Sequence, residues 1–105
     1  MRLKSNVRLS GLAPQMVLAA IVVVGVMRGF GIECVITSAN DSKHGTNSLH
    51  YKGNALDFRT KNYAGDKQWL KEEIADCLGP EFDVVLEDLG EDNEHLHVEH
   101  DPKEV

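Results

Sequence analysis

Gly53-Asn54-Ala55-Leu56-Asp57-Phe58-Arg59-Thr60 alternates in character, and the alternation predicts a strand over residues 54–60. Successive side chains of a strand point to opposite faces, so Ala55, Asp57 and Arg59 share one side while Leu56 and Phe58 share the other. A sheet built around such a strand has an apolar side to cover and a polar side left for chemistry. His95-Leu96-His97-Val98-Glu99 repeats the pattern, with His95, His97 and Glu99 on one face and Leu96 and Val98 turned to the core.

The flanking segments supply the rest of the sheet and its cover. Residues 33–38 (ECVITS) are rich in β-branched side chains and read as a strand, as do residues 82–86. The apolar run over residues 16–27 follows Pro14, a residue suited to a first helical turn, and is closed by Gly29 and Gly31, so a helix is expected over residues 14–28. That run is shorter than the roughly 20 apolar residues of a bilayer span and ends at Arg28 without a small-residue cleavage site, so it reads as a core helix rather than a membrane anchor or export signal. A second helix is expected from Gly65 or Asp66 to Leu78, with Trp69, Ile74 and Cys77 among its apolar positions and Gly79-Pro80 as its stop. The expected fold is α+β: a small single domain, residues 1–105, with one layer of helices on a largely antiparallel four-stranded sheet. An irregular basic arm, residues 1–11, leads into a core of residues 12–101.

Composition narrows the function. With 42% hydrophobic and 27% charged residues the chain is ordinary for a folded domain, and 105 residues allow one hydrophobic core. The net charge of −6, with no basic stripe, gives no electrostatic support for binding nucleic acid. Cys34 and Cys77 have neither CxxC spacing nor the density of a disulfide scaffold, and both are expected to be free, buried thiols. Glu87, Asp88, Glu91 and Asp92 could offer oxygen ligands to Ca²⁺ but lack the EF-hand pattern, so a solvated loop is the better reading.

Ser48-Leu49-His50-Tyr51-Lys52-Gly53 leads into the strand over residues 54–60 and brings a further histidine toward it. Two imidazoles and one carboxylate are ligands suited to Zn²⁺, and three protein ligands leave a position open, as in catalytic rather than structural zinc sites. His50, Asp57 and His97 are the expected ligands. A metal carrying one anionic ligand keeps net positive charge, which favours hydrolysis of an amide.

The stretch from Ser48 to Asp57 resembles the SxHxxGxAxD signature of the zinc D-alanyl-D-alanine carboxypeptidases, the phage L-alanyl-D-glutamate endopeptidases and the hedgehog signalling domain, and Glu94-His95-Leu96-His97 resembles that family's second motif. The similarity covers residues 35–101. It implies a hedgehog/DD-peptidase-like fold, His50, Asp57 and His97 as zinc ligands, Glu94 as general base and His95 as a stabiliser of the transition state. Strand period alone would turn Glu94 and His97 to opposite faces, so the resemblance requires a turn or bulge at the strand entrance, and Glu99 is the rival base. Ser48 could orient substrate or a ligand. Relatives carry an arginine in the loop after the strand over residues 33–38, whereas this chain has none in residues 38–44; Lys43, His44 or Arg59 would supply positive charge instead.

The expected activity is zinc-dependent hydrolysis of peptidoglycan stem peptides by an endolysin-like monomer, without membrane insertion or nucleic-acid partner. It would be synthesised in the cytoplasm without an export signal and would act at the cell wall. The alternative is a zinc-containing binding module of the same fold without catalysis.

Overall fold

The structure, a computed structural model, describes residues 1–39 and 53–102. In chain order it comprises β1 (Arg2–Leu3), α1 (Pro14–Gly29), β2 (Val35–Ser38), β3 (Ala55–Arg59), α2 (Lys67–Leu78), β4 (Phe82–Glu87) and β5 (His95–His100). The strands form one sheet in the order β1-β2-β3-β5-β4. Thus the expected four-stranded sheet is a five-stranded mixed one. β1 runs parallel to β2, and every other pairing is antiparallel. The added strand comes from the segment expected to be an irregular arm: the Arg2 amide donates to the Cys34 carbonyl at 2.8 Å and the Lys4 amide to the Ile36 carbonyl at 2.9 Å. Two exposed residues are too few to show a period of two, so nothing in the sequence pattern marks this edge.

β3 and β5 keep the expected alternation. Leu56, Phe58, Leu96 and Val98 are buried, and they pack with Ile36 and Val84 under the helices. α1 contributes Met16, Ala19, Ala20, Val23 and Met27, a stripe at helical spacing, while Val17, Leu18 and Ile21 on its other side stay exposed. Pro14 opens this helix as expected. No helix among the described residues is long and apolar enough to cross a membrane.

In α2 the Asp66 side chain caps the first turn by accepting from the Trp69 amide at 3.0 Å, and Gly79 closes the last turn at φ 92°. Its inward stripe differs from the expected one. Leu70 and Ile74 are buried, whereas Trp69 is 56% exposed and Cys77 lies at the surface. Helical spacing places Leu70 and Ile74 four residues apart on one face, and Trp69 and Cys77 fall beside it rather than on it. Of the two thiols only Cys34 is buried; burial pushes it up to about 11, against the pull of the chain's amino terminus.

Gly53 anchors the start of β3. Its φ of 76° is left-handed, a Cβ there would lie 2.3 Å from the Gly11 carbonyl oxygen, and its own carbonyl accepts from the Ala13 amide at 2.9 Å. Gly53 thereby lets the chain entering β3 approach closely the backbone that leads into α1.

Candidate metal centre

The face of the sheet away from the helices carries the polar residues of β3, β5 and β4. Because β5 lies between β3 and β4, Asp57 and Val85 flank His97, Arg59 and Glu87 flank His95, and Ala55 and Asp83 flank Glu99. Directly opposed residues bring their side chains within reach. His97 Nδ1 is 2.8 Å from Asp57 Oδ1, and its Nε2 is 2.6 Å from Glu99 Oε1. Burial of this ring disfavours its charge, but the Asp57 and Glu99 carboxylates prevail and raise it to about 9. His95 Nε2 lies 2.9 Å from Glu87 Oε1 and 3.8 Å from Asp57 Oδ2, and its Nδ1 is 2.7 Å from the Asn93 carbonyl. Its burial is likewise outweighed by the Asn93 carbonyl, Asp57 and Glu87, so its protonated form is favoured.

Asp57 and His97 offer donor atoms of the kinds that a metal takes. Two zinc ligands in tetrahedral geometry, each about 2.0–2.1 Å from the ion, lie roughly 3.3 Å apart. The 2.8 Å between His97 Nδ1 and Asp57 Oδ1 is slightly shorter, as expected of two donors sharing a proton where they could share a cation. Glu99 on the remaining ring nitrogen fixes the orientation of the His97 ring. A second grouping overlaps this one: Asp57, Glu87 and His95 bring ligand atoms within 4.8 Å of one another and could also hold an ion. His50, the third expected ligand, lies outside the described residues, as do Ser48, Lys43 and His44.

Glu94 stands elsewhere. It is buried, on the same side as Leu96 and Val98, and the β3–β5 register runs without a shift from Ala55 opposite Glu99 to Arg59 opposite His95. The β3–β5 ladder has no bulge, and although Asp92 and Asn93 form a turn just before Glu94, whose amide donates to the Glu91 carbonyl at 3.1 Å, the Glu94 side chain stays on the buried side. Its Oε2 accepts from Thr60 Oγ1 at 2.5 Å and from Lys67 Nζ at 2.6 Å, and its Oε1 from the Gly90 amide at 3.0 Å. Burial would raise this carboxyl, but Lys67, Thr60 and Gly90 outweigh it and hold the group at about 2. So held, it is a weak proton acceptor. Nevertheless Glu94 lines the same cavity of about 260 Å³ as Asp57 and His95, together with Lys4, Thr37, Ser38, Arg59, Asp92 and Asn93.

Glu87 is the contributor that the sequence did not single out for this site. Its signal was the acidic turn between β4 and β5, which could have been read as a hairpin placing Glu87 opposite His95. The acidic loop meanwhile spends its groups locally, with Asp88 accepting from the Asn93 side chain at 2.8 Å. Comparison of the chain with protein-family models, curated proteins and solved structures finds no match.

Proposed function

We propose that this chain is a zinc-dependent peptidase that hydrolyses an amide bond in peptidoglycan stem peptides, as a D-alanyl-D-alanine carboxypeptidase or an L-alanyl-D-glutamate endopeptidase. The observation carrying this reading is the Asp57–His97 pair on the polar face of the sheet, backed by Glu99. A zinc ion held by His50, Asp57 and His97 would supply a Lewis acid that acidifies water and polarises the scissile carbonyl. Glu99 holds the His97 ring in one orientation. His95, steadied by Glu87 and the Asn93 carbonyl, is the donor for negative charge developing on the substrate oxygen.

The motif assigns proton transfer to Glu94, but Lys67 and Thr60 hold that carboxylate on the buried side of β5. The geometry favours Glu99, which already stands on the ligand face. The competing function, a zinc-holding binding module, draws on the same sequestration of Glu94. Digestion of purified peptidoglycan by the zinc-loaded protein, with new termini identified by mass spectrometry, decides among these readings. Zinc-dependent cleavage abolished in Asp57→Asn supports the peptidase, and loss in Glu99→Gln or Glu94→Gln, measured on folded protein at saturating zinc, identifies the base. Muropeptides left intact by the wild type favour the binding module.

A further inference from the structure

From Pro14 to Met27 α1 carries no charged residue, and its one polar side chain, Gln15, donates to Asn54 at 2.7 Å. A helix apolar all round calls for cover on every side, yet the sheet and α2 leave one side open, where Ile21 is 64% exposed. The segment before the helix faces part of that open side. Its Leu9 and Leu12 form one wall of a groove of about 610 Å³, and Val17, Ile21 and Val24 of α1 belong to the other. Gly25 lies on the α1 wall, and a Cβ added to it meets nothing within 4 Å. Glycine is the poorest helix former after proline, and nothing in the fold requires it at this position. Arg28 is the one charged side chain that lines the groove among the described residues, and its guanidinium has no hydrogen-bond or ion-pair partner among them. A cation in the last turn suits the helix dipole, which engages its charge but none of its donors. The 17 acidic residues of the chain all follow residue 32, and none lines the groove.

We infer that this groove binds a single-chain anionic amphiphile, a fatty carboxylate with its alkyl chain along the stripe from Val17 to Gly25 and its head group on Arg28. The groove lies along α1, which covers the sheet face opposite the metal centre, and the inference does not depend on the peptidase reading. Its volume falls within the roughly 300–1,000 Å³ of small-molecule sites, and apolar walls with a single polar anchor are their usual make-up. The α1 residues of the wall recur at spacings of three and four, so they form one continuous stripe ending at Arg28. From Val17 to Arg28 the helix advances about 16 Å at about 1.5 Å per residue. An extended chain covers about 1.2 Å per bond, a third of the backbone repeat, so an alkyl chain of about 12–14 carbons spans the groove. The guanidinium fork then meets the carboxylate in two parallel hydrogen bonds. Gly25, with no side chain, leaves the middle of the groove clear for the alkyl chain. Other covers fit less well. A second copy packed on this face about a two-fold axis would bring its own Arg28 and no acid to pair with it, and a bilayer is flat where the groove is concave.

The test is a titration of the full chain, with and without zinc, with sodium decanoate and with the neutral decanol, each below the concentration at which it aggregates. Amide resonances and the Arg28 Nε–H report binding. Decanoate is expected to saturate one site and to shift Leu9, Val24 and Arg28 equally with and without zinc. Affinity should rise about two- to fourfold per added methylene from octanoate to dodecanoate. Decanoate should bind about five- to tenfold more tightly than decanol, and Arg28→Gln should remove that preference while leaving decanol binding unchanged. Gly25→Leu puts a side chain into the groove and a better helix former into α1, so it should abolish binding of both compounds with an unchanged or raised Tm. Absence of saturable binding, binding that survives Gly25→Leu, or an acid preference that survives Arg28→Gln overturns the inference. Binding to phosphatidylglycerol vesicles with none to decanoate overturns it in favour of a bilayer surface. A dimer in sedimentation equilibrium that Gly25→Leu splits into monomers overturns it in favour of a second copy.

Discussion

Replacement of Glu94 by glutamine should cost the fold about 2–3 kcal/mol, whatever it does to activity. The carboxylate is 4% exposed and receives three donors, two of them side chains from β3's end and α2. A hydrogen bond to a charged group contributes about 1.5–3 kcal/mol, and breaking a buried ion pair costs 3–5 kcal/mol. Lys67 is 21% exposed, so water recovers part of its charge and the lower range applies. For a domain of this size the loss corresponds to a fall in Tm of about 8–20 °C. The coupling of Glu94→Gln with Lys67→Met, measured by urea denaturation in a double-mutant cycle, should be about 1–3 kcal/mol. The pH dependence carries the same signature. The folded carboxyl, at about 2, lies below its ordinary value of 4.5, so its stabilisation is complete above pH 4.5 and is lost as pH falls through about 2. Glu94→Gln should flatten the stability profile across that window. A cost below about 0.5 kcal/mol with no coupling to Lys67 would refute the placement of Glu94 in a structural ion pair.

Gly53→Ala should destabilise by at least about 2 kcal/mol, because a left-handed φ alone costs roughly 1–2 kcal/mol and the new Cβ meets the Gly11 carbonyl at 2.3 Å; chemical denaturation checks this. Native protein treated with a thiol reagent should take up one label at Cys77 and a second at Cys34 only after denaturation, since Cys34 is buried and held protonated. Rapid double labelling of the native state would contradict the placement of Cys34. Phe58→Ala, which empties a fully buried site between sheet and helices, should cost about 3–5 kcal/mol by the same denaturation assay.

What could be read from residues alone followed from strand alternation and helix punctuation. Phe58 and Leu96 announce the covered side, Asp57 and His97 the opposite one, and Pro14, Asp66 and Gly79 the helix ends. Tertiary partners decided what remained hidden. β1 exists through backbone bonds to β2 and has no side-chain pattern of its own. Trp69 is apolar yet exposed, because it lies against Phe30 edge-on, with ring centroids 5.5 Å apart, rather than on the Leu70–Ile74 stripe. For Glu94, alternation and motif pointed in opposite directions, and its observed side follows the alternation. The donors that secure it there, Thr60 and Lys67, are 34 and 27 residues away in sequence.

The central claim, that Asp57 and His97 belong to a single zinc site, is tested most directly by equilibrium dialysis of the full chain against zinc. The account predicts one tightly held zinc per chain, with affinity reduced by at least about 100-fold in Asp57→Asn and in His97→Ala and by about 10–100-fold in Glu99→Gln, the outer partner of His97. Zinc binding unchanged in His97→Ala but abolished in His95→Ala or Glu87→Gln would contradict it, and would move the ion to the neighbouring group of Asp57, Glu87 and His95.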